Sequence, residues 1–315
     1  MFNLHTFSLF DHLSDTAISK RIVASTVAGA SVLDAGVHTA GSLAAGVGLA
    51  RLCLADRAEV TLVPCDERSF VSPNAVFVRT DDPIGACLAA QYAGWPIHTD
   101  DFFAMGSGPM RAARGREELL TELKINETAS TVFGVLESDK LPTQSAIELI
   151  SDQCKVPPAQ VRLAIAPSSS IAGNIQVVAR SIETALHKLH ALKFDVRQIV
   201  SATGHAPLPP PAKPGDSIGG IGRTNDAILY GASVTLWTDA SDDEIENVAA
   251  NVPSNSSPDH GQPFAKIFKT YDFDFYKVDP QLFSPAVVTI HNLRSGRTWN
   301  VGQIETALLR QSFLS

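Results

Sequence analysis

The chain has 315 residues, 44% hydrophobic and 18% charged, with a formal net charge of −8; this is the profile of a globular protein with a substantial core and room for about two domains. An acidic balance without a basic stripe excludes a nucleic-acid partner, Arg111, Arg114 and Arg116 being the densest positive cluster. No apolar run approaches the roughly 20 residues a membrane span needs, and the early charges Asp11, Asp15, Lys20 and Arg21 make a poor signal peptide, so no membrane partner and a cytoplasmic location are expected.

Before Ser14 a short helix is open. Residues 21–27 and 30–34 alternate as strands, with Asp34-Ala35-Gly36 as a turn. Residues 41–54 are Ala- and Leu-rich and read as a helix; 59–63 and 74–80 read as strands, and 83–92 as a helix closed by Gly94 and Pro96. The Gly106-Ser107-Gly108-Pro109 loop opens a helix over 109–123, with Pro109 in the favoured first position. A strand at 131–136, a helix at 143–155, a strand at 161–166 and a helix at 174–192 follow. The proline run 207–214 is the strongest break. Beyond it come a strand over 227–238 interrupted at Gly231, an acidic helix at 242–249, a polar loop at 253–263, strands at 275–278, 286–293 and 297–301, and a helix at 303–311. Strands and helices mix without a steady βαβ rhythm. The expected fold class is therefore α/β (mixed α+β), two lobes of mixed sheets and helices with a cleft between them, divided near 1–150 and 151–315 with discontinuity left open.

The helix over 174–192 carries the most informative pattern. At about 100° per residue, Ile175, Val178, Ile182, Leu186 and Leu189 form an apolar side, and Gln176, Arg180, Glu183, His187 and His190 gather on the opposite one. Arg180 and Glu183 lie one turn apart, so a carboxylate beside a cationic anchor can take a proton from water. An i,i+3 salt bridge on a wet face is the commoner origin of such a pair taken alone. Glu183, His187 and His190 are metal-ligand types at helical spacing, but no further ligand cluster completes the set, and no metal is expected. Cys53, Cys65, Cys87 and Cys154 form no C-x-x-C pair and read as buried thiols.

Gly106-Ser107-Gly108 before a helix suits an anion, with Arg111 the nearest cation, or is a plain tight turn. Gly220-Ile221-Gly222 is half a dinucleotide fingerprint without its strand–turn–helix context, so nicotinamide binding is rejected. Arg223, Thr224, Asn225 and Asp226 suit a heterocycle's edge, or are a turn entering a strand. Tyr92 and Phe283, with small neighbours such as Ala93 and Ser284, suit a planar ligand or the core.

Read together, the motifs resemble methenyltetrahydromethanopterin cyclohydrolases. The resemblance rests on Gln91-Tyr92-Ala93-Gly94-Trp95, Gly106-Ser107-Gly108-Pro109 with Arg111-Ala112, Leu136-Glu137-Ser138, Gln176 to Arg180 with Glu183 and His187-Lys188, GRTNDAILYG from Gly222 to Gly231, and Asp274-Phe275-Tyr276-Lys277 with Leu282-Phe283-Ser284-Pro285-Ala286. It implies reversible hydrolysis of the 5,10-methenyl cation of tetrahydromethanopterin to the 5-formyl derivative, without metal or prosthetic group, by a homo-oligomer, often a trimer. It places Arg180 and Glu183 in catalysis, Arg180 orienting Glu183 and keeping it ionised. Around them Gln91, Tyr92, Gly106, Ser107, Arg111, Gln176, Arg223, Asn225, Asp226, Phe283 and Ser284 are the expected pterin-binding set, with the Gly106 loop and Arg111 for an anionic tail and Glu137 and Asp226 as rival bases. Ser168-Ser169-Ser170, and Ala232 after Gly231, depart mildly from the family pattern. A non-catalytic pterin carrier, and a cyclohydrolase of another folate-like cation, are the alternatives.

Overall fold

A computed structural model of the chain describes residues 1–314, and at Tyr276 the backbone alone. Twelve strands follow in chain order among the described residues: β1 (Val23–Val27), β2 (Ala30–Asp34), β3 (Glu59–Pro64), β4 (Asn74–Thr80), β5 (Trp95–His98), β6 (Phe103–Ser107), β7 (Val132–Glu137), β8 (Val161–Ile165), β9 (Ile199–Pro207), β10 (Ser233–Thr238), β11 (Val287–Asn292) and β12 (Thr298–Gly302). The helices are α1 (Phe2–His5), α2 (Phe7–Asp15), α3 (Leu43–Cys53), α4 (Glu67–Phe70), α5 (Met110–Arg114), α6 (Glu118–Glu122), α7 (Gln144–Cys154), α8 (Ile171–Val178), α9 (Ser181–Ala191), α10 (Ser217–Leu229), α11 (Asp242–Ala249), α12 (Phe264–Thr270) and α13 (Thr306–Phe313). None is long and apolar enough to cross a membrane.

The chain divides into two compact units, residues 1–58 with 85–176, and 59–84 with 177–315. A division at residue 150 leaves 59–84 in the first unit and 151–176 in the second; their contacts place them the other way round.

In the first unit a six-stranded sheet runs β1-β2-β8-β7-β6-β5. Its centre, β2, β8 and β7, is parallel, and both ends are antiparallel. Side chains alternate across a strand, so a sheet covered on both faces needs apolar residues at every position. Val161, Leu163 and Ile165 join Ile147 and Ile150 of α7 on one face. Ala164, with Phe133 and Val135 of β7, joins Leu9, Leu13, Leu49 and Leu52 of α2 and α3 on the other.

The second unit holds a six-stranded sheet of order β12-β11-β10-β9-β4-β3, in which β10 and β11 are the parallel pair. Burial alternates along β10 and β11, marking one strongly buried face. Helix α9 packs on β9 and β10, and α10 lies against β9, α12 and α13.

The structure corrects several expectations. The span from Gly222 does not open a strand: Ser217–Leu229 is a helix, started by Asp216, whose side chain accepts from Gly219 N at 2.8 Å, and β10 begins only at Ser233. The contiguous apolar run Ala227–Tyr230 has strand character on its own; the preceding cap overrides it. The helix expected at 109–123 breaks at Gly115, which closes α5 in the left-handed region (φ 61°). Gly106 and Ser107 belong to β6, and the turn is left to Gly108 (φ 93°). The segment 84–91 is a π-helix. Asp34 ends β2 and opens the expected turn, its carboxylate accepting from the amides of Gly36, Val37 and His38, while Ala28 and Gly29 turn the β1–β2 hairpin. Phe275–Lys277 is a 3₁₀ turn, Phe275 lying 4.4 Å from the Phe268 ring centroid to centroid.

Candidate functional site

The expected helix over 174–192 stops at Val178 and restarts at Ser181, with Arg180 (φ −89°, ψ 7°) in the break. Arg180 sits at the N-cap position of α9, and Glu183 lies in its first turn. The positive end of a helix dipole favours a negative charge there. Arg180 is 8% exposed and Glu183 5%, and both are engaged in polar interactions. Their burial removes the wet-face explanation, because a solvated pair would leave at least the carboxylate in water. Burying an acidic side chain one turn from a buried arginine is costly unless geometry or chemistry requires it.

What fixes this turn is a close helix–strand approach. Gly204, in β9, pairs with Val78 on one side and Val234 on the other. A Cβ there would meet Ser181 Oγ at 2.3 Å and Ile182 Cγ1 at 2.9 Å. Further along α9, buried Lys188 donates to Ser256 Oγ (2.9 Å) and to Gln281 O (2.6 Å), tying the helix to the segment that carries Phe283. Burial pushes its amine down to about 8, against the field of Asp279. Gly204 did not stand out in the sequence, and Lys188 entered only as part of the His187-Lys188 motif. Ser181 and Ala185, seven and three positions before Lys188, are the small-residue signal of that tightly packed side.

In the first unit the structure brings two expected residues, Ser107 and Gln176, together at Cys53 and turns Arg111 into scaffold. Buried Cys53 Sγ lies 3.3 Å from Ser107 Oγ and 3.6 Å from Gln176 Oε1. Gln91 closes the π-helix, fully buried. Arg111 is 0% exposed; Nε donates to Glu117 Oε1 at 2.9 Å, Nη2 pairs with Glu117 Oε2, and Nη1 faces the carbonyls of Leu88, Ala89 and Ala90 at 3.1–3.4 Å. The Tyr92 ring covers its guanidinium, 5.0 Å from the centroid. Arg111 thus caps the π-helix, and the arrangement does not support an anionic-tail role: its charge is spent on Glu117.

In the second unit Asn225 Nδ2 bonds back to Ile221 O (2.8 Å), and Arg223 Nη1 donates to Pro211 O (2.9 Å). Asp226, 1% exposed, accepts from Phe264 N at 2.7 Å, and its Oδ2 has no hydrogen-bond partner. Burial raises its carboxyl to about 7, although the Ser312 hydroxyl and the Phe264 amide favour the charged form. The Phe264 ring reaches Phe283 edge-on at 5.7 Å, and Ser284 Oγ donates to Val252 O. Arg223 and Asp226 line a cavity of about 590 Å³ that neither Arg180 nor Glu183 lines.

Residues 2–313 match the family model described as Cyclohydrolase (MCH). The chain belongs to the methenyltetrahydromethanopterin cyclohydrolase family. A methenyltetrahydromethanopterin cyclohydrolase of Rhodopirellula baltica is 60% identical over 307 residues, covering 96% of this chain and 92% of its own length. One from Methylobacillus flagellatus is 41% identical, covering 99% and 94%, and one from Methanococcoides burtonii is 40% identical, covering 97% and 94%. Each of the three is matched over more than nine-tenths of its own length and of this chain.

Proposed function

We propose that this chain is a hydrolase that interconverts 5,10-methenyl-tetrahydromethanopterin and the 5-formyl derivative in one-carbon metabolism, with Glu183 as base and Arg180 as its anchor. The observation that supports this most directly is the buried Arg180–Glu183 turn at the start of α9, in a chain 60% identical to a protein named for that reaction.

The methenyl carbon lies between two nitrogens as an amidinium-like cation. It is already electrophilic, so the reaction asks for a positioned water and a base rather than a cofactor. Glu183 takes a proton from water as the oxygen adds to that carbon. The tetrahedral carbinolamine then collapses: the bond to N10 breaks, Glu183 returns its proton to that nitrogen, and the carbinol hydroxyl proton leaves to solvent as the formyl C=O forms. Water and cation in, formyl compound and one proton out, the atoms balance. Arg180 holds the carboxylate in line by its planar fork, which a point charge does not copy. A homo-oligomeric enzyme in the cytoplasm, with Gln91, Tyr92, Gln176 and Phe283 among the contacts to the pterin, completes the reading.

The test is the loss of the methenyl compound's near-ultraviolet absorbance on adding protein, with the Glu183→Gln variant alongside. Fast loss with the native chain and only the spontaneous rate with the variant, at unchanged pterin affinity, is the expected result. Binding by both without acceleration by either would make the chain a carrier.

A further inference from the structure

The cavity of about 590 Å³ between α10, α12 and α13 has the size of a small-molecule site. Three cations line it: Arg223, Lys266 and Arg310. Lys266 and Arg310 are exposed, and neither side chain has an acidic partner among the described residues. In a chain of net charge −8, unspent positive charges collected at one cavity run against the average surface. Three cations against the two carboxyl groups of Asp216 and Asp226 leave the lining net positive. Asp216 is occupied in capping α10 through Gly219 N, and Asp226 is buried with Oδ2 unpartnered, although a buried polar oxygen is normally bonded. An oxygen of that kind inside a lined cavity points to a ligand that completes it.

We propose that this cavity binds a small dianion, a dicarboxylate or a phosphate monoester, held by Arg223, Lys266 and Arg310 with the Asp226 carboxyl completing its hydrogen bonds. An ionised Asp226 repels such a ligand, whereas the protonated form donates to it. Binding is therefore coupled to proton uptake. From Asp226's value of about 7 upward, affinity falls toward tenfold per pH unit. The other groups facing this carboxyl do not titrate in that window. Ser312 and the Phe264 amide are neutral, and the Tyr230 phenol at the end of α10 is pushed above its usual range by burial and by Asp226 itself. His260, against the Tyr230 ring, is held below its ordinary value by burial and is neutral there, with Glu305 adding its field to both. The proposal stands apart from the reaction assigned to Glu183, which does not line this cavity.

Calorimetric titration of the full chain with malonate and with sulfate tests it, at about pH 7 and about pH 9, where neither probe changes charge and, of the groups facing the Asp226 carboxyl, none titrates but Asp226 itself. Saturable binding at one site per chain is expected, at least tenfold weaker at the higher pH. Malonate ahead of sulfate assigns a carboxylate ligand; the reverse order assigns a phosphate ester. The exposed pair Lys266→Gln/Arg310→Gln, which leaves the fold intact, weakens binding at least tenfold, and Asp226→Asn flattens the pH dependence. No saturable binding of either probe overturns the proposal. So does binding unchanged in the double variant, which marks an adventitious ion only, or a pH slope that persists in Asp226→Asn.

Discussion

Gly204→Ala tests whether the β9–α9 approach sets the geometry of the Arg180–Glu183 turn. The new Cβ lies 2.3 Å from Ser181 Oγ and 2.9 Å from Ile182 Cγ1, against an ordinary contact that begins at 3.4 Å. Rotating the Ser181 hydroxyl away relieves the first contact but not the second. The strand cannot retreat, because β9 is bonded to β4 and β10 on its two sides. The first turn of α9 therefore moves out by about half an ångström to one ångström, carrying the residues on either side of Ser181 and Ile182, which are Arg180 and Glu183. Overpacking of this size costs about 1–3 kcal/mol of stability. A misplacement near 1 Å at a catalytic group costs on the order of 100-fold in rate. Thermal unfolding and the absorbance assay read the two effects separately, and adding Ser181→Gly to the variant removes the Oγ clash and restores part of the rate. Full activity in Gly204→Ala would refute the reasoning, since the approach would then have slack that the geometry denies.

Arg180→Lys keeps the charge and loses the fork, and its kcat falls by on the order of 100-fold with KM little changed; steady-state kinetics that match the native chain remove Arg180 from the orienting role. Arg111→Met leaves Glu117 without its partner and takes the guanidinium donor from the Leu88 and Ala89 carbonyls, Ala90 O keeping the Gly108 amide, at a cost of about 3–5 kcal/mol in denaturant unfolding; a loss under about 1 kcal/mol means the pair is not structural. Asp226 titrates near 7 in the folded chain, above the ordinary 3.8, so the folded state holds the extra proton between those values and stability contributed by Asp226 is lost as pH rises through them. Asp226→Asn removes that decline, and unfolding curves at about pH 5 and about pH 8 differ less in the variant than in the native chain; an identical difference in both excludes Asp226 as its source.

Much of the fold was written in local patterns. Strands β2, β4, β7 and β8 follow their apolar runs because covered sheets need them, and α11 follows its Ser241/Glu244 capping box. The failures share a cause. Ile199–Pro207 was passed over as a strand although it lies at the middle of the second sheet. Its glycine, histidine and terminal proline weaken strand character, and what makes it a strand is pairing with β4 and β10, partners far away in sequence. The helix α10 was missed because its buried face includes Gly220, Thr224 and Asp226, which no hydrophobic period picks up. At the site, Arg180 and Glu183 were legible from their spacing, but not their burial. Gly204 was not legible, and Lys188 only as a motif residue without a role, since their importance lies in what they touch. Arg111 looked like a ligand for anions because sequence does not show that Glu117 already takes its charge.

The interleaving of the two units has a consequence for the order in which the chain can fold as it is made. The first unit is complete once residue 176 has been synthesised, with 59–84 looped out of it. That loop carries β3 and β4, and β4 finds its second partner only when Thr80 can pair with Ala202 and Ala75 with Pro207. For the whole interval the nascent chain presents an open strand edge at Val76 and Val78, residues fully buried in the finished protein. Exposed apolar edges of this kind are where growing chains stick to one another. Truncations ending shortly before β9 are therefore the fragments of this protein most prone to aggregate.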